Sequence, residues 1–162
     1  MNSNFDKNNF ILARSQEHKL ILESLGEVES CLKFSSADEL IGKLKPVMQN
    51  FKSSVLKHQM LEEKVIFSAG LRSIPTESVV NLILQLSKEH GIFEAAIDSI
   101  IDKLNFPGDP TRTRLLIENE VKKIVTVLKK HSLLEVKELF PLLAANPACR
   151  TMIDNLANKT QI

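Results

Sequence analysis

KHQMLEEKVIF, residues 57–67, returns as KHSLLEVKELF, residues 130–140. Lys, His, Leu, Glu, Lys and Phe coincide at six of eleven positions, at an offset of 73. A weaker echo pairs Ser15-Gln-Glu17-His18 with Ser87-Lys-Glu89-His90, at an offset of 72. The chain therefore reads as a doubled helical hairpin. Its four histidines fall one to each of four helical segments.

Outward from these copies the apolar period is helical almost throughout, and no run alternates with period two for long. Helix A is expected from Asn8 to Lys33, with Ile11, His18, Ile21, Leu22, Leu25, Val28 and Leu32 near one stripe. Ser36 followed by Glu39 is a capping box that opens helix B. B runs to Leu71, with Pro46 as a kink or a late start. Ser73 to Thr76 stops the chain and restarts it. Helix C spans Glu77 to Leu104, and Asn105 to Arg112 is a loop holding Pro107, Gly108 and Pro110. Helix D spans Thr113 to Ala144. Pro147 starts a short fifth helix that ends near Ala157, with the last five residues frayed. Four long helices with short connections predict an all-α fold, an antiparallel up-down-up-down four-helix bundle with a short C-terminal helix. A single domain is expected over 1–162, with its core at about 8–144.

Composition narrows the function. The chain has 162 residues, 43% of them hydrophobic, enough to bury roughly 70% of its unfolded surface. With 21 basic and 20 acidic residues the net charge is +1, which argues against nucleic-acid or membrane partners held by bulk charge. Five glycines form neither GxGxxG nor a P-loop. Cys31 and Cys149 are too few for a disulfide framework and too far apart for a CxxC metal site. No stretch reads as a signal peptide and no apolar run spans a membrane, so a soluble cytoplasmic domain with reduced thiols is expected.

His58/Glu62, His90/Glu94 and His131/Glu135 are all i, i+4 pairs, so each pair shares one helix face. At 1.5 Å per residue, His58 lies about 20 Å before Leu71, and His90 about 20 Å beyond Glu77, which makes the two level. His18 and His58 match if the bundled part of B begins near Pro46. Four histidines in one layer are expected. Imidazole with carboxylate suits divalent first-row metals, and four His with two Glu exceed one tetrahedral site. Two ions would each receive about two imidazoles, with Glu carboxylates bridging. Charges buried in a helical bundle need such pairing.

The order of one His, HxxxE, His, HxxxE across four helices resembles the hemerythrin-like (HHE cation-binding) family, as does the Phe that ends each HxxxE copy (Phe67, and Phe140 with Pro141). The resemblance covers about Phe10 to Leu143. It implies a four-helix bundle holding a non-haem pair of iron ions, oxo- or hydroxo-bridged, with manganese or zinc as lesser alternatives. Carried over, the ligands are His18, His58, Glu62, His90, His131 and Glu135, with both glutamates bridging. Glu94 is an extra ligand, an acceptor for an imidazole N–H, or a surface acid. Oxygen-carrying members use five histidines, with HxxxH on the third helix and an Asp in the bridging pair; here the third helix has His90-x-x-x-Glu94 and the fourth Glu135. The four-His, two-Glu set looks more like the branch linked to iron–sulfur repair, to nitric oxide or oxygen reactivity, and to iron or oxygen sensing. The repair proteins carry a further cysteine-bearing N-terminal domain, which these 162 residues do not contain.

The resemblance implies a protein that binds, senses or reacts with O2, nitric oxide or peroxide, in oxidative or nitrosative stress or in iron homeostasis. Iron storage or delivery, and a metal-free helical interaction module, stand as alternatives. If it is an enzyme, it is an oxidoreductase acting at the metal pair, since no nucleophile or general-base dyad is visible. Ferritin-type chemistry needs Glu-x-x-His and zinc hydrolysis needs HExxH; neither spacing occurs. Phe67, Phe140 and Phe93 read as core packing at the site. Lys122-Lys123 and Lys129-Lys130 read as a solvated face of helix D, and the cysteines as plain thiols.

Overall fold

The computed structural model describes residues 9–160. Those residues form helices and short connections, with no β-strand among them. Helix α1 is Asn9–Cys31, two residues shorter at its end than the sequence predicts, and Asn8 lies outside the described residues. Helix α2 (Ala37–Leu61) runs without a break into a π segment, π1 (Glu62–Phe67), and then into α3 (Ser68–Ser73). Helix α4 is Glu77–Asn105. Helix α5 (Pro110–Leu134) continues through π2 (Glu135–Leu139) into α6 (Phe140–Ala145), and α7 is Pro147–Lys159. None is long and apolar enough to cross a membrane.

Side-chain caps set the helix starts. Ser36 accepts the Glu39 N–H at 3.0 Å, and Thr76 accepts that of Val79 at 3.4 Å. Pro46 lies inside α2, nine residues after its first, so it does not delay the start. The expected loop over Asn105–Arg112 shrinks to residues 106–109. Asp109 accepts the Arg112 N–H at 2.8 Å, and Pro110 supplies the preset φ of a first helical residue. Asn146 caps α7 through the Cys149 N–H. Helix α7 reaches Lys159 rather than fraying after Ala157; Gln161 and Ile162 lie outside the described residues.

The helices make a bundle with a closed circuit of neighbours: α1 on α2, α2 on α4, α4 on α5, and α5 back on α1. Helix α7 lies across α3 and π1. On α4 the buried stripe runs Val79, Ile83, Leu86, His90, Phe93, Ile97, Ile100 and Leu104, alternating steps of four and three. That stripe crosses two separate apolar clusters. One is built around Leu44, Met48, Phe51, Ile97, Val121 and Leu128. The other is built around Ile66, Phe67, Ile83, Leu139, Leu143 and Ile153. On three helices the break between the clusters falls at a histidine, joined on two of them by a glutamate: Val55, then His58 and Glu62, then Val65; Leu86, His90, Phe93; Leu128, then His131 and Glu135, then Leu139. On α1, His18 likewise separates Phe10 and Ile11 from Ile21. A polar layer therefore sits between two apolar ones.

Candidate metal centre

The sequence reads helices B and D as regular to their ends. Instead each HxxxE copy turns π-helical at its glutamate, at Glu62 and at Glu135. Up to that point the α-helical period holds, so His58 and Glu62 share a face, as do His131 and Glu135. Past it, i→i+5 bonding adds about one residue to the turn. Five α-helical steps would carry Phe67 and Phe140 about 140° away from their glutamates; the wider turn brings them back over the site. Phe67 stacks on His90, with centroids 5.4 Å apart, and Phe140 on His18, at 5.6 Å. Ser68 Oγ donates to the Glu63 carbonyl within the widened turn, at 2.9 Å.

The structure brings together all six residues carried over from the family resemblance. They form two sets that share the two glutamates: His18, His58, Glu62, Glu135 and Glu62, His90, His131, Glu135. Within each set the candidate ligand atoms all lie within 4.8 Å of one another. All six residues are buried, and both glutamates are 0% exposed. His18 Nε2 is 2.9 Å from Glu135 Oε2 and 3.3 Å from Glu62 Oε1. His58 Nε2 is 2.9 Å from Glu62 Oε1, and His90 Nε2 is 3.4 Å from Glu62 Oε2. These approaches lack hydrogen-bond alignment. The Nε2 atoms of His18, His58 and His90, and all four oxygens of Glu62 and Glu135, are buried without a hydrogen-bond partner among the described residues. Orphaned buried carboxylates and imidazoles are costly alone, and a multivalent cation satisfies them together. The donor set fits such an ion.

Glu94 does not join them. It is exposed and belongs to neither set. Three other carboxylates back the imidazoles at Nδ1. Glu17 Oε2 lies 2.8 Å from His58, Glu63 Oε1 2.9 Å from His90, and Glu89 Oε2 2.7 Å from His131. An ionised carboxylate only accepts, so each ring donates Nδ1–H and turns the Nε2 lone pair inward. Sequence reasoning missed these three. The repeated Glu17-His18 and Glu89-His90 pairs carried a signal, but each glutamate serves a histidine on another helix.

Electrostatics follow from this packing. Burial disfavours a charged His18, yet the facing Glu135 and Glu62 carboxylates outweigh it and raise its pKa to about 9. The pKa values of His58 and His131 also rise against burial, through Glu17 with Glu62 and through Glu135 with Glu89. Burial would raise Glu62, but His18, His58 and His90 hold it well below the usual carboxylate range. Phe93 meets His131 edge-on at 5.1 Å, so all three aromatic residues expected to pack at the site do so. Lys122, Lys123, Lys129 and Lys130 are exposed, and both cysteines are free and buried.

Among known proteins, the model of the family described as Hemerythrin HHE cation binding domain matches residues 14–143. No curated protein and no solved structure matches the chain.

Proposed function

The chain belongs to the hemerythrin HHE cation-binding family, and from that premise we propose that it is a non-haem di-iron protein that binds, senses or reacts with a small gas or oxidant such as O2, nitric oxide or peroxide. The observation that carries this reading is the buried constellation of unpartnered Nε2 and carboxylate atoms. His18 and His58 would hold one ion and His90 and His131 the other, with Glu62 and Glu135 contributing to both. Bound iron would supply one-electron redox chemistry and an open coordination position.

The chain's own residues supply the surroundings. The Nδ1–H bonds of His58, His90 and His131 fix their tautomers and ring orientations. Phe67, Phe93 and Phe140 cover imidazole faces and edges, which excludes water and favours a small, weakly polar visitor over an ionic one. The proposed topology is one domain whose four long helical rods alternate up, down, up, down. Connections of five, three and four residues, at 32–36, 74–76 and 106–109, support reversals between neighbours.

The test is anaerobic loading of the untagged protein with Fe(II), followed by metal analysis and near-ultraviolet and visible spectra. The chain has no Trp and no Tyr, so bands there report the centre. Two irons per chain, with a spectrum that responds to O2, nitric oxide or peroxide, is the expected result. Full iron content in a His58→Ala His131→Ala variant would overturn the assignment.

A further inference from the structure

We infer that the two ion positions are unequal, and that the one between His18 and His58 is the weaker and the first to empty. This rests on the reading that the six residues hold two ions. At the His90–His131 position each imidazole is backed by a carboxylate, Glu63 for His90 and Glu89 for His131. At the other position, among the described residues, only His58 is backed, and its partner is shared. Glu17 Oε2 takes the His58 Nδ1–H, while Glu17 Oε1 is ion-paired at 2.7 Å with Nη2 of the buried Arg14. His18 Nδ1 is buried with no hydrogen-bond partner among the described residues.

The internal repeat explains the gap. At the offset of 73, the counterpart of Glu63 is Val136. At the offset of 72, the counterpart of Ser87 is Ser15. Ser87 Oγ donates to Glu63 Oε1 at 2.8 Å, completing the support of His90. Ser15 Oγ turns back to the Ile11 carbonyl at 3.2 Å. Glu63 is the second residue of π1 and Val136 the second of π2, so the two occupy like places and differ in chemistry. Val136 and Phe140, the ring that lies on His18, also line a cleft of about 650 Å³ on that side.

A carboxylate behind a ligating imidazole orients it and raises its basicity, and losing one costs about 10–100-fold in metal affinity. Among the described residues, the His18 side lacks one such carboxylate. A guanidinium also sits on the other, repelling a nearby cation and drawing charge from Glu17.

The experiment is anaerobic calorimetric titration of the metal-free full chain with Fe(II). Two steps separated by about tenfold or more are expected. Val136→Glu, which supplies the missing carboxylate, is expected to tighten the weaker step by about tenfold and leave the stronger one in place. Repulsion between ions also splits the steps, but Val136→Glu does not relieve it. Absence of Fe(II) binding would overturn the site itself. Two ions bound equally would overturn the inequality alone. A weak step unmoved by Val136→Glu would overturn its assignment to His18.

Discussion

Glu17 on α1 and His58 on α2 are joined by a 2.8 Å hydrogen bond between Oε2 and Nδ1, across 41 residues of chain. His58 makes its other approach through Nε2, toward Glu62. The bond therefore couples an outer carboxylate to the inner cluster through one ring. Glu17→Gln keeps an acceptor and removes its charge. We expect Fe(II) affinity to fall by about tenfold, confined to the weaker step, with helix content unchanged. Chelator competition measures it, and unchanged affinity at both steps would refute the link.

Metal removal is expected to lower thermal stability. An ion that binds only the folded chain adds about 2.7 kcal/mol at a free concentration of a hundred times Kd. For a chain of this size that corresponds to a rise in Tm of about 5–10 °C. Calorimetry with chelator and with graded Fe(II) should show a Tm that climbs with free metal. A Tm indifferent to both would mean that the cluster holds no ion.

Without metal, the pH dependence should be governed by the cluster's own charges. His18 titrates at about 9 in the folded protein, against about 6.5 when unfolded. Its contribution is complete below about pH 6.5 and is lost as pH rises through 9. His58 and His131 act in the same sense. Glu62 is lowered, so its contribution is present above about pH 4.5 and lost on acidification. Urea unfolding in chelator is expected to show greatest stability between about pH 4.5 and 6.5, declining toward 9. A rise in stability between pH 6.5 and 9 would contradict this. Loaded protein should show the opposite trend over that range, because ligation needs neutral imidazoles.

Arg114 serves the fold and not the site. Its Nη1 donates to the Phe34 and Ser35 carbonyls at 2.6 and 2.9 Å, its Nη2 to that of Leu32 at 3.1 Å, and its Nε to Glu118 at 2.8 Å. One planar fork thereby ties the start of α5 to the turn between α1 and α2. A lysine ammonium cannot span that set. Arg114→Lys is expected to cost about 1–2 kcal/mol in denaturant unfolding and to leave iron stoichiometry unchanged. His131 lies some 25 Å further along the helix. Loss of iron in this variant would mean that the bundle end and the cluster are coupled.

Legibility in the sequence followed the range of the forces involved. Helix starts at Ala37, Glu77 and Pro147 were readable because Ser36, Thr76 and the proline act within one turn. The start at Pro110 was missed because Pro107, Gly108 and Pro110 read as loop, although Asp109-Pro110 is also a cap followed by a first helical residue. The π segments were missed because KVIF and KELF are ordinary helical sequence. Nothing local marks the widened turn that lets Phe67 and Phe140 return over the imidazoles.

The sequence by itself determined the four-histidine layer and the shared faces of His58 with Glu62 and His131 with Glu135, while the family resemblance, not the spacing, set those glutamates apart from Glu94. A period of 3.6 puts His and Glu four apart on one face, and the doubled segment places that face at matching heights on different helices. Only the tertiary structure decided which carboxylate stands behind which ring. Neighbours on a helix diverge by about 100°, so Glu17 turns away from its own His18 to reach His58, and Glu89 turns from His90 to His131. The same packing left His18 Nδ1 without a carboxylate partner among the described residues. That asymmetry exists only once four helices stand side by side.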